Sequence, residues 1–219
     1  MRHPLSIAIS LALGAALFAA APAMARAADA PAAAPAAARA LPTTQLPRNV
    51  RPTHYTIAVV PNAQALTFTG NIKIALDVLQ PTDKIVLNAV DMTFPKATLT
   101  GAKGKAMTAK VSTDKDAQTA TFSFDKPLDA GSYVLELDYT GKIGTQANGL
   151  FAIDYENKQG KQRALYTQFE ASDARKFIPS WDEPNYKAVF DLSADVPKEH
   201  MALSNMPIAQ AKDLGNGLQ

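Results

Sequence analysis

Leu66-Thr67-Phe68-Thr69-Gly70-Asn71-Ile72-Lys73-Ile74-Ala75-Leu76-Asp77-Val78-Leu79 decides the fold. Phe68, Ile72, Ile74, Leu76 and Val78 fall on one face with Gly70 among them, while Thr67, Thr69, Asn71, Lys73 and Asp77 fall on the other. A helix would repeat its apolar residues every three or four positions; strict alternation belongs to a strand with one buried and one wet face. The same period continues outward. Tyr55, Ile57 and Val59 alternate with Thr56, Ala58 and Val60 before Pro61, and Tyr133, Leu135, Leu137 and Tyr139 alternate with Val134, Glu136 and Asp138 up to Gly141. Lys84 to Val90 reads as a short apolar strand and Met92 to Thr100 as another, in which Pro95 marks an edge or a bulge. Met107 to Ser112 and Thr119 to Phe124 are expected to pair around T-D-K-D-A, and Leu150 to Tyr155 with Arg163 to Phe169 around N-K-Q-G-K. Ala188 to Val196 supplies a last strand, and no segment longer than a turn or two carries a helical stripe. About ten short strands separated by turns predict an all-β sandwich or saddle.

The folded part is expected to begin near Leu46. Residues 1–27 open with Arg2 and His3, run apolar from Leu5 to Ala21 and end in A-P-A-M-A-R-A, the pattern of a secretory signal peptide with small-residue cleavage choices after Ala23, Ala25 or Ala27. The apolar run is broken by Gly14 and Pro22 and is short for a membrane span of about 20 residues. Residues 28–45 are mostly alanine and proline and predict an extended tether. The 219 residues contain no cysteine, which excludes a disulfide framework and thiol catalysis. Export to the periplasm or the extracellular space is therefore expected. Lysine and arginine total 22 against 20 acidic residues, interspersed, so no basic stripe points to a nucleic-acid partner. No glycine cluster opens a helix to hold phosphate, and no G-x-S-x-G supplies a serine nucleophile.

Chemistry concentrates between Tyr166 and Pro184, Y-T-Q-F-E-A-S-D-A-R-K-F-I-P-S-W-D-E-P, which holds the only tryptophan. Gln168 and Glu170 stand two apart at a strand end, so their side chains are expected on one face. Asp173 and Arg175 follow in a short helical turn that Ser172 is placed to cap. Arg175 is expected to bridge Asp182 and pin the turn, with Pro184 fixing the exit; Asp173, Arg175, Asp182 and Glu183 are thus structural, and Trp181 is expected in core or interface packing. His54 is expected at a strand start and His200 in a loop. Neither forms an i, i+4 pair around a glutamate, so no metal ligand and no catalytic residue is expected in this chain.

T-Q-F-E-A-S-D-A-R followed by P-S-W-D-E-P resembles the zinc aminopeptidases of the aminopeptidase N type, whose metal site is an H-E-x-x-H motif. L-P-R-N-V-R-P-T-H-Y, F-T-G-N-I-K-I, L-D-A-G-S-Y-V-L-E-L-D-Y-T-G and V-P-K-E-H-M-A-L-S-N-M-P extend the resemblance from about Leu46 to Pro207. It implies that residues 46–219 are the saddle-like N-terminal β-domain of such an enzyme, incomplete at its C-terminal end. It implies that Glu170 anchors the substrate's free α-amino group by a charge-assisted bond and that Gln168 offers an amide to the first or second substrate residue. Zinc is then expected in the full-length enzyme, carried by a catalytic domain of the same polypeptide, with a peptide N-terminus as the partner. The family's usual cysteine before the aromatic is Ser180 here, and its G-A-M-E-N loop is missing. The other readings are a stand-alone exported β-domain that binds peptide N-termini without cleaving them, and a sandwich that docks a protein partner.

Overall fold

The computed structural model describes residues 45–102 and 104–219. The expected signal peptide, and the expected tether apart from Gln45, lie outside the described residues. Almost all regular structure is strand: β1 Val50–Asn62, β2 Thr67–Val78, β3 Thr82–Asn88, β4 Thr93–Gly101, β5 Ala106–Thr108, β6 Lys110–Asp114, β7 Thr119–Leu128, β8 Gly131–Lys142, β9 Gly149–Asn157, β10 Gly160–Gln168 and β11 Val189–Ala194. One turn of 3-10 helix, Ala174–Lys176, interrupts them. The all-β expectation holds.

The strands form a six-stranded sheet in the order β11-β1-β2-β8-β4-β5, a three-stranded sheet β3-β7-β6, and the β10-β9 hairpin. β2 is central to the larger sheet. Phe68, Ile72, Ile74, Leu76 and Val78 are all buried, as their alternation requires. Gly70 lies opposite Tyr139 and Gly141 opposite Phe68. A Cβ at Gly70 would stand 2.4 Å from the Tyr139 ring, and one at Gly141 2.3 Å from the Phe68 ring. Each glycine makes room for the aromatic across from it, which fixes the β2–β8 register where β2 begins and β8 ends. The two sheets share one core: Phe94 of β4 meets Phe122 of β7 edge to face at 5.3 Å, and Ile85, Leu87, Leu99, Leu135 and Leu137 close around them.

Two sequence expectations change here, and the choice left open at Pro95 is decided. Met107 to Ser112 is not one strand. It divides at Ala109, whose N–H donates to the Ala97 carbonyl at 3.0 Å; β5 before it pairs with β4 in one sheet, and β6 after it pairs with β7 in the other. A strand that changes sheets keeps its alternation, so sequence periodicity passes straight through the switch. Pro95 marks a bulge rather than an edge: β4 lies between β8 and β5, and its register slips between Thr93 and Lys96. His54 lies inside β1 rather than at its start, because a register shift between Pro52 and His54 lets the strand begin earlier, at Val50.

Candidate functional site

β10 ends at Gln168, opposite Gly149 of β9. The strand stops there, so its alternation does not reach Glu170. Phe169 does the work instead. Its ring is half-buried and stacks on Phe177 at 5.6 Å, and Phe177 is buried against Phe68 of the central strand at 5.7 Å. With Phe169 held inward, Gln168 and Glu170 on either side are both exposed. Neither side chain makes a hydrogen bond or an ion pair with any described residue. A neutral amide and a carboxylate are thus both exposed, each with bonding capacity to spare.

The chain then folds under itself. Asp173 donates its N–H to the Phe169 carbonyl at 2.9 Å, closing the turn that carries Glu170. The expected Ser172 cap does not form: Asp173 is the residue that precedes the 3-10 turn, and it makes no side-chain cap. Its carboxylate is taken by Lys176, three residues on, at 2.9 Å. Arg175 makes the expected bridge. Its Nε donates to Asp182 Oδ2 at 2.8 Å, its Nη2 to the Asp182 carbonyl at 3.2 Å, and its Nη1 to Gln118 Oε1 at 3.1 Å. Both side chains of the ion pair are 12% exposed, so this is a nearly buried pair in which each guanidinium nitrogen has a hydrogen-bond partner.

Beyond the 3-10 turn the segment is sewn to β3. Asn88 and Ser180 exchange backbone hydrogen bonds at 2.8 and 3.1 Å, Asn88 Oδ1 accepts the Asp182 N–H at 3.2 Å, and Val90 N–H donates to the Arg175 carbonyl at 2.9 Å. Trp181 is 5% exposed and donates its backbone N–H to the Tyr55 hydroxyl at 3.3 Å. Burial pushes that hydroxyl well above the ordinary tyrosine range. Glu183 accepts the Leu46 N–H through Oε1 and pairs through Oε2 with Arg48 at 2.9 Å, so it ties the segment before β1 to the motif. Pro184 is exposed and opens the turn in which Tyr186 donates to the Glu183 carbonyl at 3.1 Å.

The structure therefore brings Arg175, Trp181, Asp182 and Glu183 into one buried scaffold and leaves Gln168 and Glu170 outside it. Four members went unnoticed in the sequence: Tyr55, Asn88, Gln118 and Phe169. Asn88 left a signal, since one polar residue inside V-L-N-A-V is costly to bury without a role. Phe169 left one too, as the apolar centre of Q-F-E. Gln118, in a loop and at φ 55°, left none.

Among the described residues no three His, Asp or Glu side chains gather that could hold a metal ion. His54 faces Asp191 of β11 at 2.7 Å, and His200 sits in a loop of residues 197–200. The described side chains do not fit a zinc site.

Residues 51–219 match the Peptidase M1 N-terminal domain. The chain is 40% identical over 165 residues to aminopeptidase M1-C of Oryza sativa subsp. japonica, covering 75% of this chain and 19% of that protein. It is 37% identical over 172 residues to aminopeptidase N of Acetobacter pasteurianus, covering 78% of this chain and 47% of that one. It is 30% identical over 179 residues to human endoplasmic reticulum aminopeptidase 1, covering 80% of this chain and 19% of that protein. The match thus spans between about a fifth and a half of the relatives' lengths. The family match covers most of the described residues, and the chain belongs to the Peptidase M1 N-terminal domain family.

Proposed function

We propose that this chain is the substrate-recognition portion of an exported, zinc-dependent aminopeptidase. Glu170 pairs with the protonated α-amino group of a peptide, and Gln168 bonds the first or second residue. The observation that carries this is the Q-F-E turn: two exposed polar side chains with no partner among the described residues, flanking a half-buried aromatic. An aminopeptidase must separate a free N-terminus from an internal peptide bond, and a carboxylate facing an ammonium group does so through a charge-assisted bond. The aminopeptidase names of the relatives support the substrate class.

Zinc, which the family resemblance brings, does not fit the described side chains, so its ligands belong to another portion of the same polypeptide. The chain alone is then catalytically silent. The basic, apolar and small-residue order of residues 1–27 supports export to the periplasm or beyond.

Glu170→Gln in the intact polypeptide is the direct test. Loss of one charged hydrogen bond, worth about 1.5–3 kcal/mol, predicts a rise in KM for aminoacyl amides of roughly 10- to 100-fold. Unchanged kcat/KM would sink the assignment.

A further inference from the structure

Gly149 stands where three pieces of the site meet. It opens β9 and pairs with Gln168, the last residue of β10, so the two lie about 5 Å apart at Cα. Its third neighbour is the 3-10 turn that follows Glu170. Gly149 is buried there, and a Cβ on it would stand 2.6 Å from Lys176 Cβ and 3.5 Å from the Asp173 carbonyl oxygen. Its backbone is left-handed, at φ 63°, a conformation that residues with a Cβ rarely adopt.

Lys176 cannot step back from such a Cβ. The atom met is the root of its side chain, not the flexible end. Arg175 before it is held by Asp182, and Phe177 after it is buried against Phe169 and Phe68. Lys176 donates its N–H to the Asp173 carbonyl at 3.1 Å and pairs its Nζ with the Asp173 carboxylate at 2.9 Å. Asp173 in turn closes the turn that carries Glu170 through its bond to the Phe169 carbonyl. Non-bonded carbons rest about 3.5–4.0 Å apart, so a methyl group at residue 149 would part β9 from the turn by about 1 Å. Gln168 is paired to β9 and Glu170 is closed into the turn, so the displacement falls between them.

We infer that Gly149 is a positioning residue for substrate: by leaving its side-chain space empty, it sets the spacing of the Gln168 amide from the Glu170 carboxylate. The inference rests on the amine-recognition role proposed for those two residues. A peptide's α-amino group and its first residues are joined covalently, so two groups that bond them together must keep a matching separation. A misplacement of about 1 Å costs such an arrangement up to about 100-fold. Gly160, at the other end of the same hairpin, supplies the comparison. It too has a positive φ, 99°, but a Cβ there meets nothing within 4 Å. Gly160→Ala therefore adds backbone strain of the same kind without the collision.

The test uses the intact polypeptide cleaving an aminoacyl p-nitroanilide, with leucinol and its amine-free counterpart isohexanol as competitive inhibitors. Loss of folded protein lowers the apparent kcat and leaves inhibition constants alone, whereas misplacement of the pair moves the constant for the amine. Gly149→Ala is expected to weaken leucinol about 10-fold or more and to narrow its advantage over isohexanol, and Gly160→Ala to change neither. An unchanged leucinol constant in Gly149→Ala, or an equal change in Gly160→Ala, would overturn the inference. Should Gly149→Ala fail to fold, Lys176→Gly opens the same contact from the other side: a weaker leucinol constant upholds the inference and an unchanged one overturns it. Glu170→Gln keeps the two assignments apart. If it weakens leucinol while Gly149→Ala does not, the positioning role falls alone. If Glu170→Gln leaves leucinol untouched, amine recognition falls and the positioning role falls with it.

Discussion

Gln168–Glu170 and Arg175–Asp182 are neighbours in one motif, yet they live under opposite physical conditions. The first pair is exposed and unbonded among the described residues; the second is 12% exposed on both sides, with the guanidinium shared between a carboxylate, a carbonyl and an amide. A carboxylate that has already spent its hydrogen bonds on its own fold cannot recognise anything. A carboxylate with no fold behind it cannot be held still. On the role proposed for Glu170 the motif separates the two tasks, and Phe169 is the joint, turned into the aromatic stack with Phe177 and Phe68 while its neighbours are exposed.

Asp182→Ala tests the scaffold most severely. It leaves the Arg175 guanidinium nearly buried without its anion, and the expected loss is about 3 kcal/mol in urea unfolding. A loss below about 1 kcal/mol would mean that solvent already satisfies the pair, and the contrast with Glu170 would collapse. Phe169→Ala removes a half-buried ring and should cost about 1–2 kcal/mol, while also raising KM, because the turn loses its anchor. A stability loss with no kinetic effect would detach Phe169 from recognition.

Alkaline pH probes the scaffold through Tyr55, whose hydroxyl is raised by burial. A raised value in the fold means that stability is complete below the ordinary tyrosine value near 10 and is lost as pH climbs through the higher folded value. Tyr139 is raised for the same reason, so Tyr55→Phe is expected to reduce the alkaline loss without abolishing it. The smallest effect belongs to Glu170→Gln, which should leave unfolding within about 0.5 kcal/mol of the parent while it damages substrate affinity.

Much of the fold was legible before any coordinates. β2 and β8 follow their alternation residue by residue, because a strand with one buried face must place every second side chain in the core. The Arg175–Asp182 bridge was legible too, since a loop of seven residues brings its own ends within reach. The Ser172 cap was not, because a cation three residues past Asp173 takes its carboxylate and the turn closes uncapped. Nor was the strand end at Gln168 legible, so the alternation expected to carry Glu170 stops before it.

Sequence by itself determined the strand period, the β-only composition and the segment where polar chemistry gathers. These are local matters, set by the spacing of side chains along one extended backbone. Only the tertiary structure decided that β11 lies parallel beside β1, that Ala109 divides one segment between two sheets, and that Asn88 and Gln118 hold the motif from 94 and 57 residues away. Those choices depend on which distant backbone groups find partners once the core closes, and no local pattern encodes them.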